Sequence, residues 1–64
     1  MNFSAYLNDY RIARAKELLT STEIGVKDIS EACGYADSSY FARVFKRQTG
    51  QTPSDYRLNA LDRE

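Results

Sequence analysis

Residues 38–49 read SSYFARVFKRQT, and the properties of this stretch decide how the rest of the chain is interpreted. At helical spacing Phe41, Val44 and Phe45 fall on one side, which predicts that this side is buried. The opposite side begins with short residues and ends with basic ones: Ser38, Ser39, Ala42, Arg43, Lys46 and Arg47. The stretch therefore predicts an amphipathic helix with a core-facing apolar side and an exposed basic side.

An exposed helix side of this composition suits the major groove of double-stranded DNA. Short side chains allow the backbone to approach closely, an arginine reads the edge of a guanine, and basic residues meet phosphates. Solvation of the basic side is the competing interpretation, because most amphipathic helices with cations on one side simply face water. The choice between the two depends on the residues that precede the helix.

A short helix and a glycine turn are predicted just before this stretch. Gly25 is the expected N-cap of a helix over 26–33, and Gly34 suits the left-handed conformation that ends helices. Asp37 is placed to cap the next helix by accepting from amides of its first turn. The buried side of the short helix is expected to contain Val26, Ile29, Ala32 and Cys33. A short helix, a glycine-containing turn and a second helix form a helix-turn-helix.

One further helix is predicted on each side of this unit. The first covers residues 4–20, with Ser4 as its N-cap, and Ile24 is expected to turn back into the core after it. Its apolar stripe is expected to contain Phe3, Tyr6, Leu7, Tyr10, Ala15, Leu18 and Leu19. The last helix opens at Thr52 after Gly50, and the pattern ends near Asn59. The sequence thus predicts an all-α fold, a small homeodomain-like helix-turn-helix domain with about four helices.

The composition limits both the size of the fold and the kinds of site that it holds. A chain of 64 residues supports one domain with one small core. Its hydrophobic content of 42% and charged content of 28% are typical of a globular protein. No membrane-spanning run and no secretion signal are recognised, so a cytoplasmic protein is expected. The absence of histidine and the single Cys33 argue against a metal site, and no cofactor is expected.

The formal net charge is zero, which by itself counts against a nucleic-acid partner. The charge is unevenly distributed, however, because over residues 34–50 Arg43, Lys46 and Arg47 against Asp37 leave a net +2. The positive charge is thus concentrated on the helix of residues 38–49. This arrangement predicts a local electrostatic attraction to DNA that is weaker than that of a strongly basic domain.

The run that starts at Val26, VKDISEACGYADSSYFARVFKRQTGQTPSDYR, resembles the C-terminal half of the AraC/XylS-type transcriptional regulators. The residues that carry this resemblance are Ile29, Gly34-Tyr35, Asp37, Tyr40-Phe41, Arg43, Phe45-Lys46, Gly50-Gln51-Thr52-Pro53 and Tyr56-Arg57. The preceding FSAYLNDYRIARAKELL looks like the linker helix of the same family. The resemblance implies a linker helix over 1–22 and a helix-turn-helix unit with its C-terminal helix over 23–59. Loss of the helical pattern from about Asn59 predicts a frayed tail over 60–64.

Three departures from the family pattern have consequences. Ser30 stands where the family usually has alanine, so its hydroxyl is expected to bond a carbonyl one turn back. Gly25 replaces the common serine or threonine cap. The family has two helix-turn-helix units and a sensor domain, and this chain matches the second unit only. A parent protein that supplies the N-terminal helix-turn-helix unit and the sensor domain is therefore expected.

The resemblance and the helix pattern together predict which residues touch DNA. The expected base contacts are Ser38, Ser39, Ala42 and Arg43, and the expected phosphate contacts are Tyr40, Lys46, Arg47 and Thr52. Each has a plainer alternative: solvated or ion-paired cations, ordinary first-turn serines, a packed Tyr40 ring, and a Thr52 that only caps its helix. Arg11 and Arg14 are interpreted as solvated, although a phosphate contact is open to either.

The remaining aromatic residues and the cysteine are interpreted as core: Tyr6, Tyr10, Tyr35, Phe41, Phe45, Tyr56 and Cys33. The leading functional prediction is a sequence-specific DNA-binding module of a bacterial transcription regulator, with double-stranded DNA as its partner. The alternative is a protein-interaction subdomain that needs the first unit to engage DNA. An enzyme is not expected, because the sequence offers no nucleophile with a base and no glycine-rich phosphate loop. Neither a membrane nor a metal ion is expected as a partner.

Overall fold

Four α-helices follow one another in the computed structural model, which describes residues 3–61 and the side chains from Tyr6 onward. They are α1 (Phe3–Ser21), α2 (Val26–Ala32), α3 (Ser38–Thr49) and α4 (Pro53–Leu61), and no strand occurs within the described part of the chain. The predicted all-α, four-helix fold is confirmed. No helix in this range has the length and apolar character needed to cross a bilayer.

The core-facing stripe of α1 differs from the predicted one. Ile12, Ala15 and Leu19 are at most 2% exposed, whereas Tyr6 and Tyr10 are 62% and 65% exposed. The prediction that these two tyrosines belong to the core is therefore wrong. Ile12 lies two residues after Tyr10, about 200° around the helix, so burial of Ile12 directs the tyrosine side to solvent.

The connection between α1 and α2 is anchored through its backbone. The Arg57 guanidinium of α4 donates to the carbonyl oxygens of Leu19, Thr22 and Ile24 at 2.9, 3.2 and 2.7 Å. The Ile24 side chain is 42% exposed, so the prediction that it turns into the core is wrong. Arg57 satisfies carbonyls that the end of α1 leaves without helical partners. The connection is thus held by these hydrogen bonds and not by burial of the Ile24 side chain.

The turn between α2 and α3 has the predicted geometry. Gly34 has φ +94°, in the left-handed region, and α2 ends with Cys33 as its C-cap. The amides of Gly34 and Tyr35 donate to the carbonyls of Glu31 and Ser30 at 3.0 and 2.9 Å. Ser30 is fully buried, and its hydroxyl donates to the Lys27 carbonyl at 3.1 Å, as expected from the sequence. The buried hydroxyl is thereby satisfied.

The C-terminal helix is positioned by a second glycine and a cap. Gly50 has φ +83° and ends α3, and the Thr52 hydroxyl accepts from the Asp55 amide at 3.1 Å. The helix continues to Leu61, past Asn59, so the tail predicted from residue 60 is wrong for its first two residues. Its residues 62–64 lie outside the described range. Aromatic contacts join the turn before α3 to α3 and α4: Tyr35 to Phe41, Phe41 to Phe45, and Phe45 to Tyr56.

Candidate nucleic-acid interface

The orientation of α3 is set by the side that it buries. Phe41 and Phe45 have no exposed surface, and Val44 is 7% exposed. The Phe41 ring centroid lies 5.3 Å from that of Tyr35, and the Phe45 centroid lies 5.4 Å from that of Tyr56. Because the buried side is held from both ends of the helix, the opposite side is directed away from the core.

The N-terminal end of α3 is held by a side-chain cap. The Asp37 carboxylate accepts from the amides of Ser39 and Tyr40 at 2.8 and 3.4 Å, which confirms the predicted cap. Two amides of the first turn are thereby satisfied by an anion at the positive end of the helix dipole. The helix consequently begins at Ser38.

The side of α3 opposite the core presents a polar stripe. At 3.6 residues per turn, Ser39, Arg43 and Lys46 follow one another up the helix. All three are exposed. The stripe therefore offers a small hydroxyl at the capped end, a guanidinium one turn later and an ammonium near the C-terminal end.

Two flanks border this stripe. Ser38 and Ala42 are half-buried on one flank, while Tyr40 and Arg47 are exposed on the other. On the second flank a shallow depression of about 340 Å³ is lined by Tyr40, Arg43, Val44 and Arg47. Seven of the eight predicted contact residues thus lie on one surface of one helix.

Tyr40 and Thr52 are the two predicted contacts with a second role. The Tyr40 ring lies 6.0 Å from the buried Tyr35 ring and is 47% exposed, so one edge packs while the other faces solvent. Thr52 lies outside α3, is half-buried, and uses its hydroxyl oxygen to cap α4. A hydroxyl that accepts a hydrogen bond still has its own proton to donate.

The cations of α3 have no acidic partner within the described residues, where the ion pair is formed by Arg14 and Glu17 of α1 at 2.9 Å. The first turn of α3 contains no acidic residue, and its last turn contains Lys46 and Arg47. The surface is therefore available to an external anion. The described range contains no group of residues able to hold a metal ion.

Two titratable groups behind this surface are perturbed by their surroundings. Burial raises the pKa of the Cys33 thiol, and the nearby Arg14 and Arg11 only partly oppose this effect. Burial likewise raises the pKa of Tyr35, against the lowering effect of Arg11. Both groups therefore stay protonated and uncharged at neutral pH, as expected of core residues. The interpretation of Cys33 and Tyr35 as core is confirmed by their exposure of 7% and 4%.

A family model described as a helix-turn-helix domain matches residues 1–59. The chain belongs to the AraC-type helix-turn-helix family. It is 44% identical over 57 residues to the HTH-type transcriptional regulator YijO of Escherichia coli K12, and 47% identical over 57 residues to the HTH-type transcriptional activator RhaR of Yersinia pseudotuberculosis. Both alignments cover 89% of this chain and 20% of the relative.

A solved structure has the same fold. The AraC-type chain superposes on a DNA-binding transcriptional dual regulator from Escherichia coli K-12 with a TM-score of 0.93 and 32% identity. The superposition covers 98% of this chain and 57% of that chain. This chain is a helix-turn-helix module of the type that these transcription regulators contain. It spans about a fifth of the length of the curated relatives that it matches.

Two arginines outside α3 have structural contacts that the sequence pattern did not predict. Arg57 of the AraC-type module bonds three carbonyls near the end of α1. Arg11 of α1 lies over the Tyr35 ring, with its guanidinium carbon 5.3 Å from the ring centroid. No local signal reveals either contact, because both partners are distant in sequence and an arginine on a helix surface is ordinarily solvated. For Arg57, only its place in the family pattern marked it as unusual.

Proposed function

We propose that this module binds double-stranded DNA with α3 lying in the major groove. The observation that supports the proposal is the outward stripe of Ser39, Arg43 and Lys46, directly opposite the buried Phe41 and Phe45. A helix with its side chains is about 10–12 Å across, and the major groove is about 12 Å wide. Ser39 and Arg43 of the stripe, with the adjoining Ser38 and Ala42, therefore face base edges when the helix enters the groove. The Tyr40 flank and the last turn of α3 face the phosphates.

The proposed base contacts are Ser38, Ser39, Ala42 and Arg43. Arg43 is exposed one turn into the helix, where its planar guanidinium donates to O6 and N7 of a guanine. Ser38 and Ser39 donate to or accept from base edges, directly or through water. Ala42 is small enough to let the helix approach and offers its methyl group to a thymine methyl.

The proposed phosphate contacts are Tyr40, Lys46, Arg47 and Thr52. Lys46 and Arg47 lie in the last turn of α3, where the helix leaves the groove. Tyr40 is held against Tyr35 at a ring distance of 6.0 Å, so its exposed edge reaches the strand on that flank at little conformational cost. Thr52 donates its hydroxyl proton while its oxygen caps α4.

The module alone is proposed to bind weakly and without covalent chemistry. Its net charge is zero, and a single module of this kind buries roughly 600–1,000 Å². In a longer, cytoplasmic parent protein, a second helix-turn-helix unit would read the neighbouring groove and a sensor domain would control both. Specificity then arises from two weakly binding units in one chain, because binding of one unit raises the effective concentration of the other at its site.

An NMR titration tests the proposal. The ¹⁵N-labelled chain is titrated with a short mixed-sequence duplex at low salt and again at high salt. We expect amide shifts at residues 38–47 and at Thr52 that weaken steeply with salt, because each neutralised phosphate contributes about 0.9 to the log–log salt slope. Amide shifts of the same size at low and high salt would indicate an apolar contact. Unchanged amide positions in a well-dispersed spectrum would refute DNA binding by this module.

A further inference from the structure

We infer that Arg11 of α1 is a further DNA-phosphate contact, extending the surface of α3 beyond the Tyr40 flank. The inference rests on the proposed function, since it assigns a role within the same complex. Arg11 belongs to a different helix, and in the sequence the whole of α2 lies between it and α3. Its position is defined by Gly34 and Tyr35, in the turn that leads into α3.

The Arg11 guanidinium is held at the surface of this turn. Its central carbon lies 5.3 Å from the centroid of the Tyr35 ring, within the range of a cation–π contact. It also packs against the bare Cα of Gly34, because an added Cβ there would lie 3.2 Å from its Nε. One side of the planar group is thus covered, and Arg11 as a whole is half-buried. Such a guanidinium loses little side-chain freedom when it binds an anion.

The charge of Arg11 is not neutralised within the described residues. Arg14, one turn further along α1, pairs with Glu17 at 2.9 Å, whereas Arg11 has no such carboxylate in the part of the chain that the structure describes. The two arginines share a helix and a charge but differ in their surroundings. Arg11 is therefore the one suited to an external anion.

The position of Arg11 relative to α3 identifies that anion as a backbone phosphate. Tyr35 contacts Arg11 on one side, and its ring lies 6.0 Å from Tyr40 on α3. Arg11 and Tyr40 therefore adjoin the same ring, and we place Arg11 on the Tyr40 flank of α3. A helix fills the major groove, so a group beside its first turn meets the phosphate strand that borders the groove and not the bases.

The test compares the salt dependence of duplex binding in matched variants. Arg11→Gln removes the charge and keeps a planar amide over the turn, and Arg14→Gln is its control on the same helix. Arg11→Lys keeps the charge without the planar group. Lys46→Gln serves as the positive control for a phosphate contact of α3. Thermal melting of each variant verifies the fold, and affinities for one duplex are measured across a salt series.

We expect Arg11→Gln and Lys46→Gln each to reduce the log–log salt slope by about 0.9, with Arg11→Lys and Arg14→Gln close to the parent chain. An unchanged slope in Arg11→Gln beside a reduced slope in Lys46→Gln would overturn the role of Arg11 alone. Equal changes in Arg11→Gln and Arg14→Gln would also overturn it, by showing a general charge effect. Failure of the parent chain to bind the duplex would refute the proposed function and this inference together.

Discussion

The two sides of α3 are made of different residues and have different roles. Phe41 and Phe45 on the inner side have no exposed surface, whereas Ser39, Arg43 and Lys46 on the outer side are exposed. The inner side stabilises the fold through burial of apolar area, at about 25 cal/mol per Å². The outer side adds little to stability, because its exposed polar groups bond to water in both the folded and the unfolded chain. Stability and DNA binding are therefore separable by mutation within one helix.

The largest effect is expected on the inner side, from Phe41→Ala. Removal of a buried phenylalanine costs about 3–5 kcal/mol of unfolding free energy. That loss equals the roughly 3–5 kcal/mol that a single core supplies in a chain of this size. The variant is expected to be largely unfolded at room temperature, as measured by circular dichroism and thermal melting. A cooperative melt at the parent temperature would show that α3 is not held by this ring.

The next effect is expected on the outer side, from Arg43→Ala. The melting temperature should stay within error of the parent, because Arg43 is exposed. Discrimination at one base pair should fall by about 1–3 kcal/mol, the value of a bidentate arginine–guanine contact. The measurement uses a duplex selected from a random library together with its single-base variants. Equal losses on every duplex would contradict base reading and leave Arg43 as a phosphate contact.

Gly34 and Gly50 precede and follow α3, so they test its connections and neither its inner nor its outer side. Gly34→Ala and Gly50→Ala should each cost about 1–2 kcal/mol of stability, since both positions have positive φ. An added Cβ meets Arg11 at residue 34, whereas nothing lies within 4 Å at residue 50. Gly34→Ala should therefore cost more, as measured by chemical denaturation. In an Arg11→Ala background the two costs should converge, and a persistent difference would exclude Arg11 as its cause.

The smallest effect is expected from the cap that precedes α3. Asp37→Ala should lower stability by about 1 kcal/mol, because the amides of Ser39 and Tyr40 lose their acceptor. Asp37→Asn, which keeps an acceptor oxygen, is the matched control and should stay near the parent value. Thermal melting measures both variants. An equal loss in Asp37→Asn and Asp37→Ala would show that the carboxylate charge, and not the cap, matters.

Local signals predicted the ends of α2 and α3 and the start of α4 well, whereas α1 already includes Ser4, its predicted N-cap. Gly34, Asp37, Gly50 and Thr52 each adopt the expected role, because a cap or a left-handed turn involves atoms only a few residues away. The amphipathic pattern of α3 was equally informative, since its apolar and basic residues separate cleanly around the helix. The DNA-contact residues remain predictions, because their partner is not part of the fold.

The side of α1 that faces the core was predicted less well. Apolar residues occur nearly all around this helix, and several stripes compete for the core. The sequence does not reveal that Ile12 lies in the core and that Tyr10 faces solvent. That choice depends on which stripe fits the surface offered by the other helices, and only packing decides it.

The amino-acid sequence by itself determined four helices, the caps and turns from Gly25 to Thr52, and a basic helix side opposed to an apolar one. These features depend on neighbours along the chain and on a period of 3.6 residues. The tertiary structure alone decided the roles of Arg57 and Arg11. Arg57 reaches carbonyls 33 to 38 residues away, and Arg11 stacks on a ring from another element. A long, flexible side chain has many possible partners, and only the packing of the helices brings one of them within reach.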